Sequence, residues 1–279
     1  MRIGLTSSVR KSVAVAALAG SAALPGCAPS VTVQQEQQLG AEYSQQINAQ
    51  LPLLRDAQSN DYINRFGRNI ARVADPRGIP YTFYIVNSDV VNAFSIPGGY
   101  VYVNRGLIER MSNASELAGV LGHEIGHVVE RHSIDQMQKA QNANTMLGLL
   151  YGVLLQRNPG TLEQIGIQAG GGAIFAGFSR QDEREADRDG VAFTMRAGYS
   201  PHGMVTMFQK LLDEEKGGNS KLSQFFATHP LTQERIANVQ AQINATPGAN
   251  SASLKTDEPG FQTFRAHVRS VTPYPSDRK

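Results

Sequence analysis

The chain has 279 residues, 18% charged and 41% hydrophobic, which is a globular composition with length for one sizeable domain or two small ones. Three of its 26 basic residues (Arg2, Arg10, Lys11) and none of its 24 acidic ones fall within residues 1–26, so the rest of the chain lies one charge to the acidic side. It carries no basic run, and nucleic acid is not an expected partner. Cys27 is the only cysteine, which excludes an intrachain disulfide and confines any zinc site to His, Asp and Glu.

The basic start is followed by an apolar run from Val13 to Leu24 and then by Leu24-Pro25-Gly26-Cys27. This resembles a bacterial lipoprotein signal, residues 1–26 being removed and Cys27 lipidated. Pro25 departs from the small residue usual before the glycine, and an ordinary secretory peptide followed by a free thiol is the alternative. Ala28 and Pro29, with no aspartate close behind the cysteine, direct the expectation to a lipid-anchored protein on the outer membrane, facing the periplasm of a bacterial cell envelope. Residues 27–35 read as a tether.

Two amphipathic helices are predicted next. Leu39, Tyr43, Ile47 and Leu51 recur at helical spacing within residues 34–51, and Tyr62, Phe66, Ile70 and Val73 within 58–75. Pro76 and Pro80 break the pattern. Strand signals follow at Tyr81–Val86, Val90–Ile96 and Tyr100–Val103, the last two separated by Pro97-Gly98-Gly99. A small sheet is therefore expected just before the next helix.

That helix carries H-E-x-x-H at His123, Glu124 and His127. Residues four apart share a helix face, so two imidazoles there can bind one zinc while Glu124 takes a proton from water. Asn113 is the expected cap, with Glu116 as its return partner. Leu117, Leu121, Ile125, Val128 and Val129 form the core face. Gly119, Gly122 and Gly126 form a third stripe, which implies close approach of another backbone, since each glycine costs about 1 kcal/mol in a helix.

The apolar stretches 145–155 and 165–178 are each shorter than the roughly 20 residues a bilayer needs. They read as a buried helical hairpin, with a lipid-dipping or cleft-covering plug as the alternative. Helices are then predicted over 179–197 (capped by Ser179), 201–216, 220–227 and 231–244. Residues 246–279 read as a tail with a short ordered piece at Phe261–Val268.

A catalytic zinc takes about three protein ligands, and two histidines leave one to find. Glu130 and Ser133 stand where the pattern H-E-x-x-H-x-x-G-x-x-H requires glycine and histidine. His132, about 180° from His123 on a continuous helix, is expected at the surface. Glu183 is the best remaining ligand, because Ala186, Asp187 and Gly190 make its helix face small and polar. Asp187, one turn on, is placed to accept the second ring N–H of a zinc histidine. A solvated charged face is the competing reading of both.

Four motifs occur in order: Asn-Ala-Phe-x-x-Pro-Gly-Gly (Asn92–Gly99), Glu-Leu-Ala-x-Val-Leu-x-His-Glu-Ile-Gly-His-Val (Glu116–Val128), Ser-Arg-x-x-Glu-x-Glu-Ala-Asp (Ser179–Asp187) and Thr-His-Pro (Thr228–Pro230). Together they resemble the HtpX and CAAX-prenyl-protease-like family of zinc metallopeptidases, in particular its small envelope lipoprotein branch. The resemblance implies a gluzincin-type α+β fold, mainly helical with a small sheet before the H-E-x-x-H helix, and a peptidase domain over 36–245. It also implies one zinc ion on His123, His127 and Glu183.

The expected reaction is endoproteolysis, with Glu124 as general base and His229 either a transition-state donor or a ligand that holds the enzyme latent. A solvated loop histidine is the bland alternative for His229. Asn92, Ala93 and Phe94 are candidate substrate contacts, a strand edge to which an extended peptide could add; an internal strand is the alternative. The expected substrates are unfolded or misassembled envelope proteins, with the outer-membrane assembly machinery as a possible partner. Two rival functions are a periplasmic chaperone or assembly factor for outer-membrane proteins with latent protease activity, and a structural zinc module. The intact Glu124 speaks against the second.

Overall fold

The computed structural model describes residues 31–142 and 177–272. The leader, Cys27 and the apolar stretches up to residue 176 lie outside the described residues. The fold is α+β. Helices α1 (Val33–Gln50) and α2 (Ala57–Ala74) precede strands β1 (Thr82–Val86), β2 (Ala93–Ile96) and β3 (Tyr100–Asn104). Then come α3 (Arg105–Arg110), α4 (Ala114–Val129) and α5 (His132–Asn142). Beyond residue 176 lie α6 (Arg180–Arg196), α7 (His202–Lys216), a 3-10 turn (Ser220–Leu222), α8 (Ser223–Thr228), α9 (Gln233–Ala245) and α10 (Pro259–Ser270). Among the described residues no helix is long and apolar enough to cross a membrane.

Local chemistry starts the helices where the sequence suggests. Thr32 and Gln35 close a reciprocal capping box on α1, and Asp56 accepts from the Ser59 amide to begin α2. Tyr62, Ile63, Phe66, Ile70 and Ala74 bury one side of α2 against the sheet and α4. Phe261, Phe264 and Val268 of α10 lie in the same core.

The strand order is β1-β3-β2, with β1 parallel and β2 antiparallel to β3. Pairing of β2 starts at Ala93 rather than Val90, because the Val91 amide turns away to the Lys221 carbonyl. The two-residue alternation sorts the sheet faces. Phe83, Ile85, Ala93, Val101 and Val103 face the main core, whereas Phe94, Ile96 and Tyr102 face Ile47 and Leu51 at the end of α1. Gly98 and Gly99, with φ of 79° and 85°, make the left-handed turn between β2 and β3 that other residues resist.

Helix α4 is the hub. Every residue from Ala114 to Val128 is buried, as expected of a helix covered on all sides. Asn113 accepts from the Glu116 amide, but the return bond falls one residue early. The Glu116 carboxylate takes the Ser112 amide at 2.7 Å, because Lys210 and Thr206 of α7 hold it from the other side.

The glycine stripe meets backbone. Gly119 faces Met204 of α7, Gly122 faces Gly190 of α6, and Gly126 faces Ala186. A methyl group at Gly126 would lie 3.0 Å from the Ala186 Cα and 3.1 Å from its carbonyl oxygen. Gly126→Ala is therefore expected to destabilise by about 1–3 kcal/mol through overpacking, more than the roughly 1 kcal/mol that alanine adds in helix propensity. A rise in the urea midpoint would refute this.

Helix α4 stops at Val129. Arg131 follows with φ of 61°, the one non-glycine residue with positive φ among those described. Its side chain bonds to the buried Glu36 carboxylate at 2.8 Å and to the Val31 carbonyl at 2.6 Å. These contacts hold a conformation that costs an L-residue about 1–2 kcal/mol, and the chain restarts as α5 at His132.

Candidate metal centre

The i, i+4 spacing on α4 sets the two ring nitrogens His123 Nε2 and His127 Nε2 3.1 Å apart. Helix α6 crosses α4 at the glycine contacts and brings Glu183, whose carboxylate lies 3.5 Å from His127 Nε2 and 3.6 Å from His123 Nε2. The loop after α8 adds His229, with Nδ1 3.0 Å from Glu183 Oε1 and 3.4 Å from His123 Nε2. All four residues are buried. A tetrahedral metal with bonds of roughly 2.0–2.1 Å has ligand atoms about 3.3–3.4 Å apart. The observed separations scatter about that edge, and the donors, three imidazoles and a carboxylate, are those zinc takes. The residues fit one zinc ion.

Charge supports the same use. Burial holds the His127 ring well below the ordinary histidine range, against the opposing Glu183 contact, which keeps it in the neutral form that ligates. Burial opposes ionisation of Glu183, but His229, His127 and His123 outweigh it and keep the carboxyl well below its usual range. His229 is the exception: burial is outweighed by Glu183 and Glu124 and its pKa is raised, which favours the protonated ring rather than the ligating one.

Glu124 is buried beside this group. The Ser95 hydroxyl of β2 lies 3.2 Å from Glu124 Oε2 and 3.0 Å from the Glu124 carbonyl, and Oε1 lies 3.6 Å from His229 Nε2. Asp187 Oδ1 sits 2.9 Å from His123 Nδ1, slightly off hydrogen-bond alignment. The solvated-face reading of Glu183 and Asp187 is thereby removed, and so is that of a loop histidine in water for His229.

The structure also adds residues that the sequence did not single out. Ser95 is one. Arg235 of α9 is another: its Nε and Nη2 donate to the two Asp187 oxygens at 2.8 and 2.7 Å. Its Nη1 reaches Glu183 and the Pro230 carbonyl, and its guanidinium lies over Phe208. A signal existed, since Thr232 caps α9 and Arg235 stands in the first turn, where the helix dipole disfavours a cation unless an anion answers it. Phe178, the end of the apolar stretch, stacks on the His127 ring with centroids 3.8 Å apart.

His132 corrects an expectation. It is buried, not at the surface, because the left-handed turn at Arg131 ends the helix on which the 180° count was made. Its Nδ1 lies 2.9 Å from His127 Nδ1 and its Nε2 3.1 Å from Glu185 Oε2.

Of the candidate substrate contacts, Asn92, Ala93 and Phe94 lie on and just before β2, all buried. Strand β2 stands at one end of the sheet order. Phe94 stacks on Tyr102, centroids 4.7 Å apart, on the α1 side of the sheet. The Asn104 amide donates to the Asn92 carbonyl. By antiparallel alternation the outward backbone groups of β2 then belong to Ala93 and Ser95.

Comparison with known proteins agrees with this geometry. The chain is 33% identical over 220 residues to the β-barrel assembly-enhancing protease of Escherichia coli (strain K12), covering 77% of this chain and 45% of that protein. It is 30% identical over 188 residues to metalloprotease YcaL and 31% identical over 188 residues to metalloprotease LoiP of the same strain. Those two matches cover 64% and 65% of this chain and 71% and 68% of the relatives. The chain thus spans less than half the length of the first of these relatives. Residues 57–243 match the model of peptidase family M48, a stretch that holds both helices of the metal centre, the Ser95 strand and the His229 loop, and the chain belongs to that family.

Proposed function

We propose that the protein is a zinc-dependent endopeptidase acting on unfolded or misassembled proteins of the bacterial envelope. The observation that carries the reading is Glu124, a buried carboxylate fixed beside the metal ligands, which a purely structural site would not need. His123, His127 and Glu183 would hold the ion. Bound there, zinc supplies a Lewis acid that polarises a peptide carbonyl and lets water give up a proton near neutral pH. The Ser95 hydroxyl is shared between the Glu124 carbonyl and Oε2, which leaves Oε1 the freer oxygen to take this proton and later pass it to the leaving amine.

His229 stands at the fourth corner of the ligand set, where its ring would occupy the space water needs. On this reading the described arrangement is a latent one, and turnover requires the His229 loop to withdraw. His229→Ala is expected to raise cleavage of reduced casein severalfold while zinc binding weakens. A fall in kcat with zinc retained would instead make His229 the transition-state donor.

Substrate would add as a strand to β2, through the outward groups of Ala93 and Ser95. Such pairing reads backbone more than side chains and suits broad specificity. Slowed hydrogen exchange at residues 92–96 on binding an inhibitory peptide is the expected result; unchanged exchange there would move the substrate elsewhere.

The name of the relative that assists β-barrel assembly supports outer-membrane proteins as substrates and their assembly machinery as a partner. Anchoring through a lipidated Cys27 would place the site in the periplasm against the outer membrane. Globomycin is expected to block maturation of the full-length chain, and normal processing in its presence would remove the anchor. A chaperone that holds unfolded outer-membrane proteins is the second reading, favoured by the closed fourth corner. It predicts that Glu124→Gln still prevents their aggregation.

A further inference from the structure

We infer that His132 is a positioning residue for the metal centre, setting the tautomer of His127, and that Glu185 sets the tautomer of His132 in turn. The inference rests on His127 being a zinc ligand. It follows from counting protons. His127 Nε2 faces His123 and Glu183 and must present a lone pair to a metal, so the ring proton sits on Nδ1. That nitrogen lies 2.9 Å from His132 Nδ1, which must therefore accept. Neutral His132 then carries its proton on Nε2, 3.1 Å from Glu185 Oε2, where a carboxylate waits as acceptor. Every donor in the row meets an acceptor.

The reverse assignment fails at both ends. If His132 Nδ1 donated to His127, the His127 proton would point into the ligand cluster. The His132 Nε2 lone pair would then face the Glu185 carboxylate, acceptor against acceptor. With His132 neutral, Glu185 thus selects one of the two assignments, and selects the one that leaves Nε2 of His127 open.

The two zinc histidines are consequently oriented by different chemistry. His123 has Asp187, itself held by Arg235. His127 has a neutral imidazole backed by a partly exposed carboxylate. Burial keeps water from the two rings, since His132 is 3% exposed and Phe178 covers the His127 ring. Arg131 in its left-handed conformation is what brings His132 round to this position.

The test uses the processed full-length chain, without requiring proteolysis. Zinc affinity is measured by competition with a chromophoric chelator for wild type, His132→Ala and His132→Asn. The His127 tautomer is read in the metal-free protein from two-bond proton–nitrogen correlations. The alanine variant should bind zinc about 10–100-fold more weakly and lose the uniform Nδ1–H signal of His127. The asparagine variant, whose carboxamide oxygen replaces the Nδ1 acceptor, should recover most of both.

Should the alanine variant not fold, Glu185→Lys, altered at a partly exposed side chain, is expected to disturb the same tautomer signal. Unchanged affinity and tautomer in His132→Ala, or no recovery in His132→Asn, would overturn the inference. So would two zinc ions per wild-type chain falling to one in His132→Ala, which would make His132 a ligand together with Asp182 and Glu185. If wild type bound no zinc at all, the metal reading would fall, and the tautomer signal would still decide the hydrogen bond.

Discussion

Glu124→Gln is expected to keep its zinc and to cleave reduced casein about 10²–10⁴-fold more slowly than wild type, the range that general-base catalysis contributes. The substitution is nearly isosteric. The Ser95 hydroxyl can still donate to the carboxamide oxygen where it now meets Glu124 Oε2, so the packing beneath the site is retained. What is lost is an atom able to take a proton. Both proteins must be loaded and their metal content measured, because an empty site would imitate the result. A variant that kept more than about a tenth of the wild-type rate would remove Glu124 as the base, since general-base catalysis typically contributes about 10² or more. Wild type and variant both inactive with zinc bound would place the protein in its latent form.

The second large effect is expected at Arg235. Arg235→Met should lower the unfolding free energy in chelator by roughly 3–5 kcal/mol, the usual result of leaving a buried charge without its partner. Here two carboxylates lose the same cation. The guanidinium fills both Asp187 oxygens and also reaches Glu183, and all three side chains are almost wholly shielded from solvent. Urea unfolding checks the size. Asp187→Asn in the same chain should restore part of the loss by removing one of the stranded charges. Excess zinc should restore another part, because a cation at Glu183 partly replaces the missing one. An unchanged midpoint in Arg235→Met would show that the pair is held by other means.

What was legible in the sequence is what depends on short separations. The two histidines and Glu124 sit within one turn of helix, and Glu183 and Asp187 within another. The buried stripe of α2 and the alternation of the strands declare themselves in the same way. The glycine stripe on α4 even announced that another backbone packs close, though not that α6 and α7 share it. What escaped depends on a change of direction. His132 was placed by counting along a helix that Arg131 interrupts, and no glycine or asparagine marks that interruption. Glu116 was matched to the nearest cap, when Lys210, on a helix far along the chain, decides where its carboxylate lies. Ser95 is a strand residue whose partner is set by how the sheet meets α4. Arg235 could have been suspected from its place at the start of a helix, but its two partners come from a segment some fifty residues away.

The close crossing of α4 and α6 has a consequence for how the ligand set can come apart. Gly122 and Gly126 meet the main chain of Gly190 and Ala186, with the Thr194 hydroxyl beside Gly122. Two helices in such contact have one register. A slip of a single turn would carry Glu183 about 5.4 Å along the axis and drive larger side chains into a gap made for glycine. The crossing therefore holds the main chains of His123, His127 and Glu183, the proposed zinc ligands, in one relative placement.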